Sequence, residues 1–257
     1  MNTLLKLDAV GYRYPSVGKG VYRALHDVNL AVEEGEIVCL VGNSGSGKST
    51  LIQLLAGLLM PTDGGIVFGG REVAGPGPDR AMVGNDNTLL PWLTCEGNVM
   101  LAVEQVFGRQ ESRGQLRARS LRALTRVALH DVAQRLPGEL SAGMRQRLEL
   151  ARALAMEPRA LLLDDPLAAL DLPTRRHLRK LLRRQARENG MAVVLATSDI
   201  DDALETADHI ALLTDGPDAT IRETLAATQA TGNTGQGQPN VEFRERVLTF
   251  LQSARLQ

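Results

Sequence analysis

The sequence predicts an α/β fold: a mostly parallel sheet, with an antiparallel β portion at the N-terminus and a helical insertion between strands. Three observations predict it. Residues 37–41 (IVCLV) and 160–163 (ALLL) are short unbroken apolar runs, as expected of strands buried on both faces of a parallel sheet. Strand-like segments alternate with helical ones along most of the chain. Between residues 96 and 157 the apolar spacing is mostly helical.

The first forty residues read as strands. Leu5, Leu7 and Val10, then Leu25, Val28, Leu30 and Val32, alternate imperfectly with polar residues. Glu34-Gly35 reads as a turn before the run at 37–41. A Gly-rich loop follows, then a helix over 49–59. Gly64-Gly65 and Gly69-Gly70 bracket a short strand at 66–68. Helices are predicted around 97–107, 114–128 and 143–156. The second buried strand, 160–163, ends in Asp164-Asp165. Beyond it come a long helix (172–188), a strand (192–196), an acidic helix (200–207) and two short strands (209–213, 219–222). Residues 228–240 (TQATGNTGQGQPN) are small and polar, which suits a linker. Val241, Val247, Leu248, Leu251 and Leu256 then recur at helical spacing. The organisation expected is a main domain over 1–225, with a helical subdomain at about 86–157, a polar linker at 226–240 and a C-terminal helix at 241–257.

Composition narrows the functional classes. With 29 basic and 30 acidic residues there is no global positive field to hold nucleic acid. One Trp, three Tyr and four Phe are too few for a base-stacking platform. Two cysteines, Cys39 and Cys95, do not make a disulfide framework and read as reduced residues of a cytosolic protein. The longest apolar stretch, 51–60, is about half of a ~20-residue membrane span. No signal peptide is visible in MNTLLKLDAV, where Lys6 and Asp8 break the apolar run.

The most specific motif is Gly42-Asn43-Ser44-Gly45-Ser46-Gly47-Lys48-Ser49, which fits G-x-x-x-x-G-K-[ST] between a buried strand and a helix. Glycines let the backbone turn its N–H groups inward around phosphates, and the helix N-terminus adds partial positive charge. Lys48 is placed to reach the β- and γ-phosphates and Ser49 to bind Mg²⁺. Asn43, Ser44, Gly45, Gly47 and Thr50 complete the candidate nucleotide-binding set. Asp164, at the end of the second apolar strand, is placed to hold Mg²⁺ through water.

With these motifs in view, the chain resembles the nucleotide-binding subunit of an ABC transporter over nearly all of residues 4–225. The most specific likeness is Leu140-Ser141-Ala142-Gly143-Met144-Arg145-Gln146-Arg147, close to the family signature LSGG[QM]xQR. The resemblance implies a RecA-like phosphate-loop NTPase core. It also implies that Ser141 and Gly143 face the γ-phosphate of ATP held on a second ATPase subunit, so that ATP is sandwiched between two chains. Tyr14 matches the aromatic that stacks on adenine, with Tyr12 the competing position. Ala168-Ala169-Leu170-Asp171 resembles the loop that crosses the dimer interface. Leu89-Leu90-Pro91-Trp92-Leu93-Thr94 resembles a segment near the groove that receives a permease's coupling helix, with Trp92 as an anchor. Residues 75–80 (GPGPDR), the LLPWLT run and 215–221 (DGPDATI) look like ATPases of nitrate, nitrite, cyanate and bicarbonate importers, with taurine and sulfonate importers as close neighbours. The implied setting is the cytoplasmic face of a membrane, beside transmembrane permease subunits and, indirectly, a solute-binding protein, with no nucleic acid.

Four positions depart from the family pattern. Asp165 stands where a glutamate orients or deprotonates the attacking water. Ser198 stands at the switch histidine. Asn85 stands at the glutamine that links Mg²⁺ and water to the coupling groove. Ala142 replaces the first glycine of the signature. Asp165 is one methylene short, and misplacing a catalytic group by about 1 Å costs ~100-fold. Serine hydrogen-bonds a phosphate but does not become a cation. The first three changes weaken the site on this chain's own phosphate loop and predict a chain that binds ATP·Mg²⁺, turns it over slowly and pairs with a second, competent ATPase; the alternative is a working homodimer.

Two charge runs remain. Arg175, Arg176, Arg179, Lys180, Arg183, Arg184 and Arg187 form a basic helix; Asp199, Asp201, Asp202, Glu205 and Asp208 form an acidic counterpart. The expectation is that the basic run is a solvated helix face.

Overall fold

The structure, a computed structural model, describes residues 2–15, 20–84, 88–227 and 241–254. Two sheets carry the fold. In the first, β1 (Thr3–Tyr14) pairs antiparallel with β2 (Tyr22–Glu33) and with β4 (Asp63–Phe68), and β4 pairs with the short β5 (Arg71–Glu72). In the second, β3 (Ile37–Val41), β6 (Arg80–Val83), β7 (Ala160–Asp164), β8 (Ala192–Thr197), β9 (His209–Leu213) and β10 (Ile221–Ala226) run in the order β10-β9-β3-β8-β7-β6. Every pair in this sheet is parallel except the β10–β9 edge.

Burial on both faces explains the apolar runs. In β3, Ile37, Cys39 and Val41 belong to one core and Val38 and Leu40 to the other. The first core is covered by helices α2 (Cys95–Phe107), α3 (Arg113–Arg126), α4 (Ala142–Ala155), α5 (Leu172–Asn189) and α6 (Ile200–Thr206). The second is covered by the antiparallel sheet and α1 (Lys48–Ala56). Both cysteines are free and buried. No described helix is long and apolar enough to cross a membrane.

Element ends differ from expectation for local reasons. Helix α1 stops at Ala56 rather than at 59, because Gly57 takes a left-handed φ of 75° and its N–H returns to the Leu54 carbonyl. A Cβ there would lie 2.3 Å from the Gly75 carbonyl oxygen, so glycine is required. The strand expected at 66–68 starts at Asp63, paired with Gly11. The last strand runs over Ile221–Ala226 rather than 219–222, in register with β9. Strand β6 went unpredicted. It is four residues long and sits at the sheet edge, where half of it stays partly exposed. The 228–240 part of the linker lies outside the described residues; the C-terminal helix is present as α7 (Val241–Ala254).

The basic run is a solvated face only in part: Arg176, Lys180, Arg183, Arg184 and Arg187 are exposed, while Arg175 is half-buried and Arg179 buried. Helix α5 packs on α6, and the two charge runs interlock. Arg179 is buried and pairs with buried Asp202 and with Glu205. Arg175 reaches Asp199 at 3.0 Å and Asp202 at 3.6 Å, and Arg187 reaches Asp208 at 2.5 Å. For Arg175 and Arg179 the expectation failed, because spacing along one helix does not reveal an acidic helix packed against it. Ion pairing is what makes burying these groups tolerable.

Candidate functional site

The site follows from strand order. β8 lies between β3 and β7, and their ends are level: Val41 pairs with Thr197, and Asp164 with Ala196. The loops leaving β3, β7 and β8 therefore emerge side by side at the carboxyl edge of the sheet, where ligands of open α/β sheets bind. They bound a cleft of about 360 Å³ lined by Tyr14, Tyr22, Ala24, residues 44–50, Asp164, Asp165 and Ser198.

The loop after β3 is built to turn amides inward. Gly45 and Gly47 have φ of 85° and 80°, and Gly47 is the N-cap of α1. Ser46 is fully buried, with its N–H on the Asn43 carbonyl at 3.2 Å. The Lys48 ammonium donates to the carbonyls of Gly42 (2.7 Å) and Asn43 (2.8 Å) and to Ser46 Oγ (3.3 Å). Burial holds its pKa below the usual lysine value, against the pull of Asp164, Asp165 and Asp215.

Asp164 and Asp165 end β7 differently. Asp164 is buried in the last position of the strand. Asp165 takes a left-handed φ of 49°, and its N–H donates to the Ala196 carbonyl at 2.9 Å, extending the ladder by one bond. Partial burial first, then the neighbouring Asp164 charge, push its carboxyl above the usual range. A raised carboxyl pKa favours the protonated form on folding. Its stabilising contribution is complete below the unfolded pKa and is lost as pH rises through the folded one. Replacing Asp165 by Asn is therefore expected to raise Tm at neutral pH, by about 2–4 °C for each kcal/mol relieved; calorimetry at pH 7 checks this.

Of the two tyrosines weighed, Tyr14 lines the cleft. Its hydroxyl is 2.9 Å from Thr50 Oγ1 and its ring meets Tyr12 edge-on at 4.8 Å. Tyr12 is buried in the core. Tyr22 was missed. It lies opposite Tyr14 in the β1–β2 register, with ring centroids 6.5 Å apart, and lines the same cleft. Two strands folding back between residues 14 and 22 were the signal for it.

The other candidates divide between the cleft and positions outside it. The Asn43 side chain does not line the cleft; its Nδ2 donates to both Asp215 carboxylate oxygens at 3.1 Å and to the Leu251 carbonyl at 3.0 Å. Ser198 lines the cleft just past β8. Ser141 caps α4, accepting from Met144 N–H at 3.2 Å. Neither Ser141 nor Gly143 lines the cleft. Gly143 instead lies against Ala169 and Leu170, and Ala168, Ala169 and Leu172 beside it are exposed. Trp92 is 72% exposed, so its role is not core packing. Asn85 lies outside the described residues. Among the described residues no group of three or more His, Cys, Asp or Glu forms a metal cage.

The profile of a family described as "ABC transporter" matches residues 25–168, more than half the chain. The chain belongs to the ABC transporter family. The chain is 44% identical to the nitrate transport protein NasD of Klebsiella oxytoca over 225 residues, covering 88% of this chain and 86% of the relative. It is 42% identical to the bicarbonate transport ATP-binding protein CmpD of Synechocystis sp., covering 86% and 78%. Among solved structures, a dimeric post-hydrolysis state of the ATP-binding cassette MJ0796, bound to ADP and Pi, superposes with a TM-score of 0.80 at 32% identity, covering 87% of this chain and 99% of that one. The chain is thus an ABC-type ATPase with the expected phosphate-loop fold.

Proposed function

We propose that this chain is the ATP-binding subunit of an importer for a small anion such as nitrate, peripheral on the cytoplasmic face of a membrane, and that its own site hydrolyses ATP slowly. The supporting observation is the gathering of Lys48, Asp164, Asp165 and Ser198 in one cleft by adjacent strand ends, while Ser141 and Gly143 sit outside it. A site so divided is completed by a second ATPase subunit. The names of the nitrate and bicarbonate relatives support the anion.

The residues fit ATP as substrate. The amides of residues 44–50 and the α1 N-terminus receive phosphate oxygens, Lys48 neutralises the β- and γ-phosphates, and Tyr14 stacks on the base. The donor set also fits Mg²⁺, which keeps several waters and takes few protein ligands: Ser49 and Asp164 hold it, with Asn85 the third candidate. When bound, Mg²⁺ neutralises charge on the phosphates. Asp165 orients the attacking water from a side chain one methylene short, and Ser198 donates a hydrogen bond to the γ-phosphate without a positive charge.

Steady-state turnover by the purified full chain tests this. The double substitution Asp165→Glu, Ser198→His is expected to raise kcat by about 10- to 100-fold with little change in ATP affinity. A parent chain that already hydrolyses at the variant's rate contradicts slow turnover.

The exposed Trp92 carries a separate prediction. Trp92→Ala is expected to change Tm little, since the ring is mostly in solvent, and to weaken capture of permease subunits by about tenfold or more, as loss of an aromatic anchor does. Co-purification with the cognate permease and a thermal melt check both halves.

A further inference from the structure

Tyr14 and Tyr22 face each other beside the phosphate loop. They are direct partners in the antiparallel β1–β2 register, so both side chains leave the same face of that sheet. Both line the cleft that holds residues 44–50, Asp164 and Asp165, and both are exposed. Their ring planes are tilted by 32° and their centroids lie 6.5 Å apart. Stacked bases repeat every ~3.4 Å, so a heterocycle lying between two rings needs them about 7 Å apart. The observed separation is close to that, and a small opening of the pair admits a base.

Each ring is held from outside the pair. The Tyr14 hydroxyl is 2.9 Å from Thr50 Oγ1, and the buried Tyr12 meets the Tyr14 ring edge-on. Tyr22 is seated by the 215–221 segment, which joins β9 to β10. The Asp218 N–H donates to the Arg23 carbonyl at 2.8 Å and the Ala219 N–H to the Ala24 carbonyl at 3.1 Å, while the Asp218 carboxylate pairs with the Arg23 guanidinium. These bonds fasten the segment to β2 directly after Tyr22. A Cβ at Gly216 would stand 2.8 Å from the Tyr22 hydroxyl oxygen and 2.9 Å from the Gly45 carbonyl oxygen. Glycine at 216 therefore leaves room for Tyr22 beside the phosphate loop.

We propose that Tyr22 is the second jaw of a base clamp: the adenine of ATP lies between Tyr14 and Tyr22, with one ring on each face. The proposal rests on the reading of the cleft as an ATP site and assigns to Tyr22 a share of the binding that the phosphates do not supply. Stacking uses the ring face and not the hydroxyl, so phenylalanine replaces it and alanine does not.

The test titrates ATP·Mg²⁺ and tripolyphosphate·Mg²⁺, which has no base, calorimetrically into the full chain and into Tyr22→Ala, Tyr22→Leu and Tyr22→Phe. Tyr22→Leu keeps apolar bulk on β2, so it holds the test open if Tyr22→Ala does not fold. Expected is a loss of ATP affinity of about 5- to 30-fold in Tyr22→Ala and Tyr22→Leu, with Tyr22→Phe within about 2-fold of the parent. Tripolyphosphate affinity is expected to stay unchanged in all three. The 2-aminopurine analogue of ATP gives a second readout, its emission being quenched more by the parent than by Tyr22→Leu. ATP affinity unchanged in Tyr22→Ala or Tyr22→Leu overturns the clamp and leaves the ATP site standing. So does an equal loss for ATP and tripolyphosphate, which would mean that Tyr22 acts on the phosphate loop and not on the base. Failure of the parent chain to bind ATP overturns the ATP site and the clamp with it.

Discussion

Lys48→Ala is expected to cut ATP affinity by about 10²- to 10⁴-fold. Among the described residues Lys48 is the one lysine lining the cleft, and it opens α1 next to two glycines in left-handed conformations. A hydrogen bond to a charged group contributes about 1.5–3 kcal/mol, and reaching both the β- and γ-phosphates makes two of them. The substitution leaves the fold intact, because the ammonium's present partners are two loop carbonyls and a hydroxyl at a partly buried position. Calorimetric titration with ATP·Mg²⁺, alongside a melt showing an unchanged transition, checks it. An affinity loss below about threefold would falsify the placement of the phosphates.

The second large effect is on stability. Asp202→Ala is expected to cost about 3–5 kcal/mol, since it leaves Arg179 buried without its buried partner. The lower end applies, because Arg179 keeps Glu205 and Arg175 keeps Asp199. In a chain of this size about 3 kcal/mol is a fall in Tm of roughly 6–12 °C. Replacing both members by apolar residues, Arg179→Met with Asp202→Leu, is expected to recover most of the loss, because the cost lies in an unpaired buried charge and not in the absence of the pair. If the double variant is no more stable than Asp202→Ala alone, packing rather than charge governs this contact.

Much of the site was legible in the sequence because its chemistry is local. A buried strand, a glycine loop and a helix start lie within fifteen residues of one another, and the structure sets Lys48, Ser49 and Thr50 along the cleft. Asp164 and Ser198 were legible for a related reason: each closes or follows a run of apolar residues that could only be a buried strand. What stayed hidden was decided by tertiary contact. Tyr22 enters the cleft only because β2 folds back on β1. Asn43 sits within the motif, yet its side chain turns to Asp215 and to a helix more than two hundred residues away. The basic run on α5 carried the period of a solvated face, and only the packing of α6 against it shows that Arg179 is buried. Strand β6 was too short and too mixed in burial to stand out.

The account turns on Asp165 and Ser198 lining the same cleft as Lys48, Ser49 and Asp164. The most direct measurement is ATP binding and ATP turnover on the same preparation of the full chain, with Asp165→Asn as its control. The account predicts saturable ATP·Mg²⁺ binding with turnover at least about tenfold slower than that of Asp165→Glu, Ser198→His. Robust hydrolysis by the parent chain, at a rate that Asp165→Asn leaves unchanged, would contradict it.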